Sequence, residues 1–154
     1  MTMSKLIKYG TLFSSLWLAF VLFSSFKELQ NSYSLTVNVE NLRNSKGVVQ
    51  YIIYDSEVNF PDQDLKSFYK KGKAEIVDNR STFTFKNLPR GEYAVHILHD
   101  ENKNGKTDIG FIKPKEGIGF SNYQSITLRN RPNFSKASFE LNADKTVEVK
   151  VIYM

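Results

Sequence analysis

Apolar and polar residues alternate along this chain in short blocks, and no long helical period appears after residue 30. Leu35, Val37 and Val39 alternate with Thr36, Asn38 and Glu40, the two-residue period of a strand with one buried face. A turn at Asn44-Ser45-Lys46-Gly47 leads into the run Val48 to Tyr54. That run is apolar on both faces, so it predicts a central strand, paired as a hairpin with the first. Residues 55–73 predict a loop with one or two helical turns, opened by Pro61 with Asp62 or Asp64, that sets Leu65, Phe68 and Tyr69 on one face. Within it, Lys70-Lys71-Gly72-Lys73 reads as a solvated loop. Residues 74–77 and 81–85 predict a short hairpin around Asp78-Asn79-Arg80, with Phe83 and Phe85 alternating against Thr82 and Thr84.

Leu88-Pro89-Arg90-Gly91-Glu92-Tyr93 is a turn feeding a strand that runs to His99. Proline presets one backbone angle, glycine accepts the other, and the Tyr93 hydroxyl is placed to bond back to the corner backbone. Further along, residues 123–128 predict a strand, 129–133 a loop and 134–141 an extended segment. The chain closes on Val147, Val149, Val151 and Tyr153 at alternate positions. Seven to eight short strands with turns between them predict an all-β, antiparallel β-sandwich, with a closed barrel as the alternative. Paired cysteines and a core tryptophan are missing, so the expectation is immunoglobulin-like or prealbumin-like in architecture only.

The N-terminus has a different pattern. Lys5 and Lys8 precede an uncharged, mainly apolar run over residues 12–26, which predicts a signal peptide or N-terminal anchor helix over 1–26. Ser24 and Ser25 are small enough for a cleavage site, although no Ala-x-Ala pair stands there, and the run is short beside the roughly 20 apolar residues of a span. A polar linker over 27–32 and a β-sandwich domain over 33–154 follow. The expected location is therefore exported: periplasm, outer-membrane surface or extracellular, with membrane contact through residues 9–26 alone and only if they are retained.

At 154 residues and 41% hydrophobic content the chain can bury one core. Its formal charge of +5 carries no nucleic-acid signal, because removing residues 1–26 leaves 19 basic against 16 acidic residues, interspersed. Cysteine is absent, which excludes a disulfide framework, a thiolate nucleophile and a lipid-anchoring cysteine.

One stretch carries candidate chemistry. Asp100, Asn102, Asn104, Gly105 and Asp108 fall on positions 1, 3, 5, 6 and 9 of a calcium loop. Side-chain oxygens at alternate positions converge when the backbone curls, and the glycine allows the sharp turn that makes the Lys106 carbonyl a further ligand. Position 12, normally a bidentate glutamate, is Phe111, so Glu101 or Glu116 would have to supply the missing oxygens. The competing reading is that these Asp and Asn side chains cap their own backbone in successive turns without a metal.

His99 beside Asp100 suggests a general base, but neighbours on a strand point to opposite faces. His96 lies on the face opposite His99, so the two histidines make no metal site. The glycine-bent segment Glu116-Gly-Ile-Gly-Phe-Ser-Asn122 reads as a loop with Ile118 and Phe120 turned inward. Alternatively Phe111, Phe120 and Tyr123 offer a stacking surface to a sugar or peptide, with Glu116 and Asn122 as polar partners. The candidate ligand-binding residues are thus His99, Glu116, Phe120 and Asn122, and the candidate calcium ligands are Asp100, Asn102, Asn104, Lys106, Asp108 and Glu116.

Three runs also carry a resemblance: residues 47–54, the long run from Leu88 through His99-Asp-Glu-Asn-Lys-Asn-Gly-Lys to Asp108, and Pro114 to Asn122, joined by Phe134 to Phe139. On these residues the chain resembles the bacterial domain of unknown function numbered 2141, with Arg90 where that family usually has a second proline. The resemblance implies a secreted or envelope-exposed β-sandwich and no established activity. The expected function is an exported, non-catalytic module that binds an envelope ligand, glycan or protein, with calcium organising the loop. The alternatives are a small hydrolase-like enzyme on a prealbumin-like scaffold and a purely structural envelope component.

Overall fold

The computed structural model describes residues 32–58, 60–62, 64–111 and 114–154. The predicted signal or anchor over 1–26, and all of the predicted linker except residue 32, lie outside those residues. Among the described residues no helix is long and apolar enough to cross a membrane.

The domain is all-β, with two antiparallel-rich sheets. The first has three strands in the order β4 (Ser81–Pro89), β1 (Ser32–Glu40), β8 (Lys145–Lys150). The second has the order β3 (Lys70–Ala74), β2 (Val48–Tyr54), β5 (Gly91–Asp100), β6 (Gly117–Phe120), and β7 (Phe139–Leu141) pairs with the start of β5. A single helical turn, α1 (Phe134–Ala137), precedes β7. Its first turn is capped by Asn133, whose side chain accepts from the Lys136 N–H.

The sheets face each other across the main core. Leu35, Val37 and Val39 of β1 and Phe85 and Leu88 of β4 meet Val49, Tyr51 and Ile53 of β2 and Tyr93, Val95 and Ile97 of β5. The alternation in β1 and the fully buried β2 are as the sequence predicts, but the two strands do not form a hairpin. β1 pairs antiparallel with β4 and parallel with β8, whereas β2 pairs with β3 and β5. Residues 41–47 therefore carry the chain from one sheet to the other.

The lysine-rich segment read as a solvated loop is edge strand β3. Gly72 leaves room there for the Phe83 ring, whose atoms would lie 2.2 Å from an added Cβ. Its polarity suits an edge, where lysines discourage pairing with another chain. The 74–77/81–85 hairpin is reduced to a bridge between Val77 and Arg80. Residues 64–69 form turns rather than a helix, with Leu65 buried while Phe68 and Tyr69 stay partly exposed. Residues 123–128 are not a strand either, and the extended segment over 134–141 begins as α1. The corner motif does form: the Tyr93 hydroxyl donates to the Pro89 carbonyl at 3.0 Å.

Candidate functional site

β5 sorts its residues strictly by parity. Tyr93, Val95, Ile97 and His99 face the main core, while Ala94, His96, Leu98 and Asp100 face the outer side of the larger sheet. Pairing register extends that outer face across the sheet, with Lys71, Ile52, His96 and Phe120 in one row.

The outer face is roofed by two segments. Phe60 packs edge-on against Tyr54, Phe120 and Phe134, joining the 55–69 connection to the 121–137 connection. Beside this joint lies a cleft of about 930 Å³. Ile118 and Phe120 of β6 line it with His96 from the sheet, Pro61 and Asp62 from the 55–69 connection, and Ile126, Thr127, Leu128, Arg131 and Pro132 from the 121–137 connection. Thr107, Ile109, Pro114 and Met154 complete the lining. The rim is apolar and exposed, with Ile109 at 54%, Leu128 at 85% and Met154 at 44% accessibility. Phe111, in the same loop as Ile109, is fully exposed. The lining is mainly apolar, with Asp62, Thr107, Thr127 and Arg131 as polar groups besides His96.

His96 is the polar group of the sheet side, the floor of the cleft. Its ring stacks on Phe120 with centroids 4.4 Å apart, and neither ring nitrogen has a hydrogen-bond partner among the described residues. Burial pushes the imidazole down to about pKa 3, with Asp62 partly favouring the charged form and Lys71 opposing it. The ring is therefore neutral at physiological pH, one nitrogen a donor and the other an acceptor. Asp62 is already engaged: burial raises its pKa, but the N–H groups of Asp64, Lys66 and Ser67 bond its carboxylate and bring it below the ordinary value.

The predicted site residues divide into three groups. His99 is buried on the inner face, its Nε2 against the Lys46 carbonyl at 2.9 Å and its Nδ1 against the Tyr153 hydroxyl at 2.7 Å. A carbonyl can only accept, so Nε2 carries the proton and the Tyr153 hydroxyl donates to Nδ1. The Asp100 carboxylate lies on the other face, as strand parity requires, and does not orient the imidazole. Asn122 stands apart, where its amide donates to the carbonyls of Ala137 and Ser138 behind α1. Phe120 alone of the four predicted ligand-binding residues lines the cleft. Its side chain turns to the outer face, as does that of Ile118, because Gly117 and Gly119 occupy the inner positions against the end of the chain. A Cβ at Gly119 would come within 2.4 Å of the Lys150 carbonyl.

The third group, around Asp100, is one connected cluster. The Asp100 carboxylate accepts from the N–H groups of Asn104 and Gly105 and from Gln50 Nε2, all at 2.8–3.0 Å. Gly105 has φ +78°, the conformation expected of the loop's sixth position. Asn102 and Asn104 turn their amide Nδ2 atoms onto Asp108 at 2.6 and 2.9 Å. Glu116 does fold back, but its two oxygens accept from the N–H groups of Glu101 and Asp108. Burial raises the Glu116 pKa in spite of those bonds. Glu101 points elsewhere, into a bidentate pair with Arg43 that holds its carboxyl at about pKa 2. Lys71 reaches over from β3 to donate to the Gly105 carbonyl at 3.2 Å. Among the described residues no group of three or more His, Asp or Glu side chains is arranged to share a metal ion. The successive turns of the loop are thus closed by its own polar atoms.

A family described as uncharacterized protein conserved in bacteria (DUF2141) matches residues 37–150, from β1 to the end of β8. The chain belongs to this family. The matched span includes every described residue that lines the DUF2141 cleft except Met154. No curated protein and no solved structure matches the chain.

Sequence reading missed His96 as a site residue. It was legible only as the histidine on the face opposite His99. Nothing in a two-residue period shows that this face is roofed by distant loops.

Proposed function

We propose that this DUF2141 domain is an exported, non-catalytic binding module whose cleft receives a small amphipathic ligand. The observation that carries the reading is the cleft itself, an apolar recess with two unpartnered, buried imidazole nitrogens at its floor. A buried polar group without a partner costs stability unless a ligand or water supplies the missing bond. Binding rather than catalysis follows from the titratable groups of the lining. Asp62 is held by the backbone N–H groups that follow it, and His96 is neutral and packed flat on Phe120. The two sheets would then form an immunoglobulin-like or prealbumin-like scaffold, and residues 1–26 would direct export.

Titrating the full chain with the uncharged fluorophore Nile red tests this reading. The expected result is saturable, one-site enhancement that shifts the ¹⁵N resonances of His96 and is lost in the double variant Ile109→Lys/Leu128→Lys. Enhancement that never saturates, or that survives in the variant, would overturn it.

Calcium is proposed for the 100–108 loop as a second, weak ligand. The supporting geometry is the convergence of Asn102 and Asn104 on Asp108; turning their amide oxygens to a common centre would give up the bonds those oxygens accept from the N–H groups of Asn104 and Lys106. The absence of a twelfth-position carboxylate limits the affinity, so the melting temperature should rise by a few degrees at millimolar calcium and fall back with a chelator. A melting curve indifferent to both removes calcium from the account.

A further inference from the structure

Resting on the cleft reading above, we infer that the ligand is a free aliphatic carboxylate, its chain along the apolar walls and its head group shared by Arg131 and the His96 ring N–H. Three observations narrow the chemistry to this class. The walls are built from aliphatic side chains and prolines, Ile109, Pro114, Ile118, Ile126, Leu128 and Pro132, which reward a flexible hydrocarbon chain and offer it little to hydrogen-bond.

Arg131 lines the same cleft and has no carboxylate partner among the described residues. A guanidinium presents parallel donors matched to a carboxylate. His96 supplies a neutral donor that nothing in the described protein uses, buried in the floor so that a head group reaches it only as the neighbouring side chains give way.

The surroundings favour an anion as well. Lys106 and Lys115 neighbour the lining residues Thr107 and Pro114 in sequence, and Arg129 lies two residues before Arg131. The nearby acids are already bonded: Asp62 to three backbone N–H groups, Asp108 to two asparagine amides and Glu116 to two backbone N–H groups. Bonds from neutral donors leave these carboxylates charged, so the four basic side chains exceed the three acids by one, and the pull on an anion is centred on Arg131.

Calorimetric titration of the full chain with octanoate, decanoate, dodecanoate and decanol, with ¹⁵N spectra of the histidine rings, tests the assignment. Each added methylene should tighten binding about three- to fourfold. Decanol should bind at least tenfold more weakly than decanoate, and Arg131→Gln should erase that preference without changing the melting temperature. His96→Phe should weaken decanoate binding while the variant still melts cooperatively. If that variant does not fold, the shift of the His96 resonances in the wild-type chain serves in its place.

Equal binding of decanol and decanoate, both shifting His96, would overturn the carboxylate assignment and leave the cleft reading standing. Failure of every probe to move the His96 resonances would overturn both. Response to anionic vesicles without response to free decanoate would also refute the free-acid assignment.

Discussion

Taking the domain from pH 7.5 to 4.5 is expected to cost about 2–3 kcal/mol of stability through His96 alone, at roughly 1.4 kcal/mol per pKa unit. In the unfolded chain a histidine titrates near 6.5, so below that pH the unfolded state binds a proton. The folded ring resists protonation down to about pKa 3, because burial strips the imidazolium of water and supplies no carboxylate in hydrogen-bond contact. The folded-state pKa is depressed. Its contribution is accordingly complete above about 6.5, declines as pH falls and is exhausted once the folded pKa is passed.

Glu101, held at about 2 by its hydrogen bonds from Arg43, loses its own contribution only below the ordinary carboxylate range. Burial moves Glu116 up towards the window from 6.5 to 4.5, so the histidine is isolated by comparison with a variant that lacks it. Urea unfolding of the full chain and of His96→Phe at matched pH values measures the difference. The variant's stability should fall less steeply over that window by the stated amount. Parallel curves would mean that the folded ring takes up a proton as readily as the unfolded one.

Replacing Gly47 by alanine is expected to destabilise the domain by about 3–5 kcal/mol, combining strained left-handed backbone with overpacking. Gly47 has φ +77°, and a Cβ there would lie 2.0 Å from the Asp100 carbonyl oxygen and 2.5 Å from the Glu101 Cα. Both neighbours are backbone at the end of β5, so no rotamer change relieves the contact. Relief requires β5 to retreat from the 41–47 connection, taking with it the loop that Asp100 organises.

Gly105→Ala is the control. Gly105 has φ +78° but open space where its Cβ would stand, so only the backbone preference is lost, about 1 kcal/mol. Thermal melts should place Gly105→Ala a few degrees below wild type and Gly47→Ala lower by roughly 10–25 °C, or unfolded. Comparable losses in the two variants would refute the close approach at Gly47.

These two glycines show how far local pattern reaches. Both read as turn glycines in the sequence, and both adopt positive φ. The steric demand at Gly47 comes from a strand more than fifty residues away and leaves no local trace. The site behaves the same way. Asp100, Asn102, Asn104 and Asp108 gather as their alternation predicts, because a curled segment of nine residues places alternate side chains around one centre. Glu116 joins them through a turn only a few residues longer. His99 and Asn122 are drawn off instead by Tyr153 and by the carbonyls behind α1, partners that no spacing rule names.

From the sequence alone come the all-β class, the alternating face of β1, the buried run of β2, the corner at Tyr93 and the curl of the Asp100 loop. Each is decided by residues close in sequence, through side-chain parity, backbone angles and short-range hydrogen bonds. The tertiary structure alone decides that β1 lies beside β8 and not β2, that a lysine-rich segment closes one sheet edge, and that His96 ends at the floor of a cleft. Those outcomes depend on which distant surfaces cover one another. Burial is a property of the assembled pair of surfaces, and parity along a strand specifies only which residues share a face.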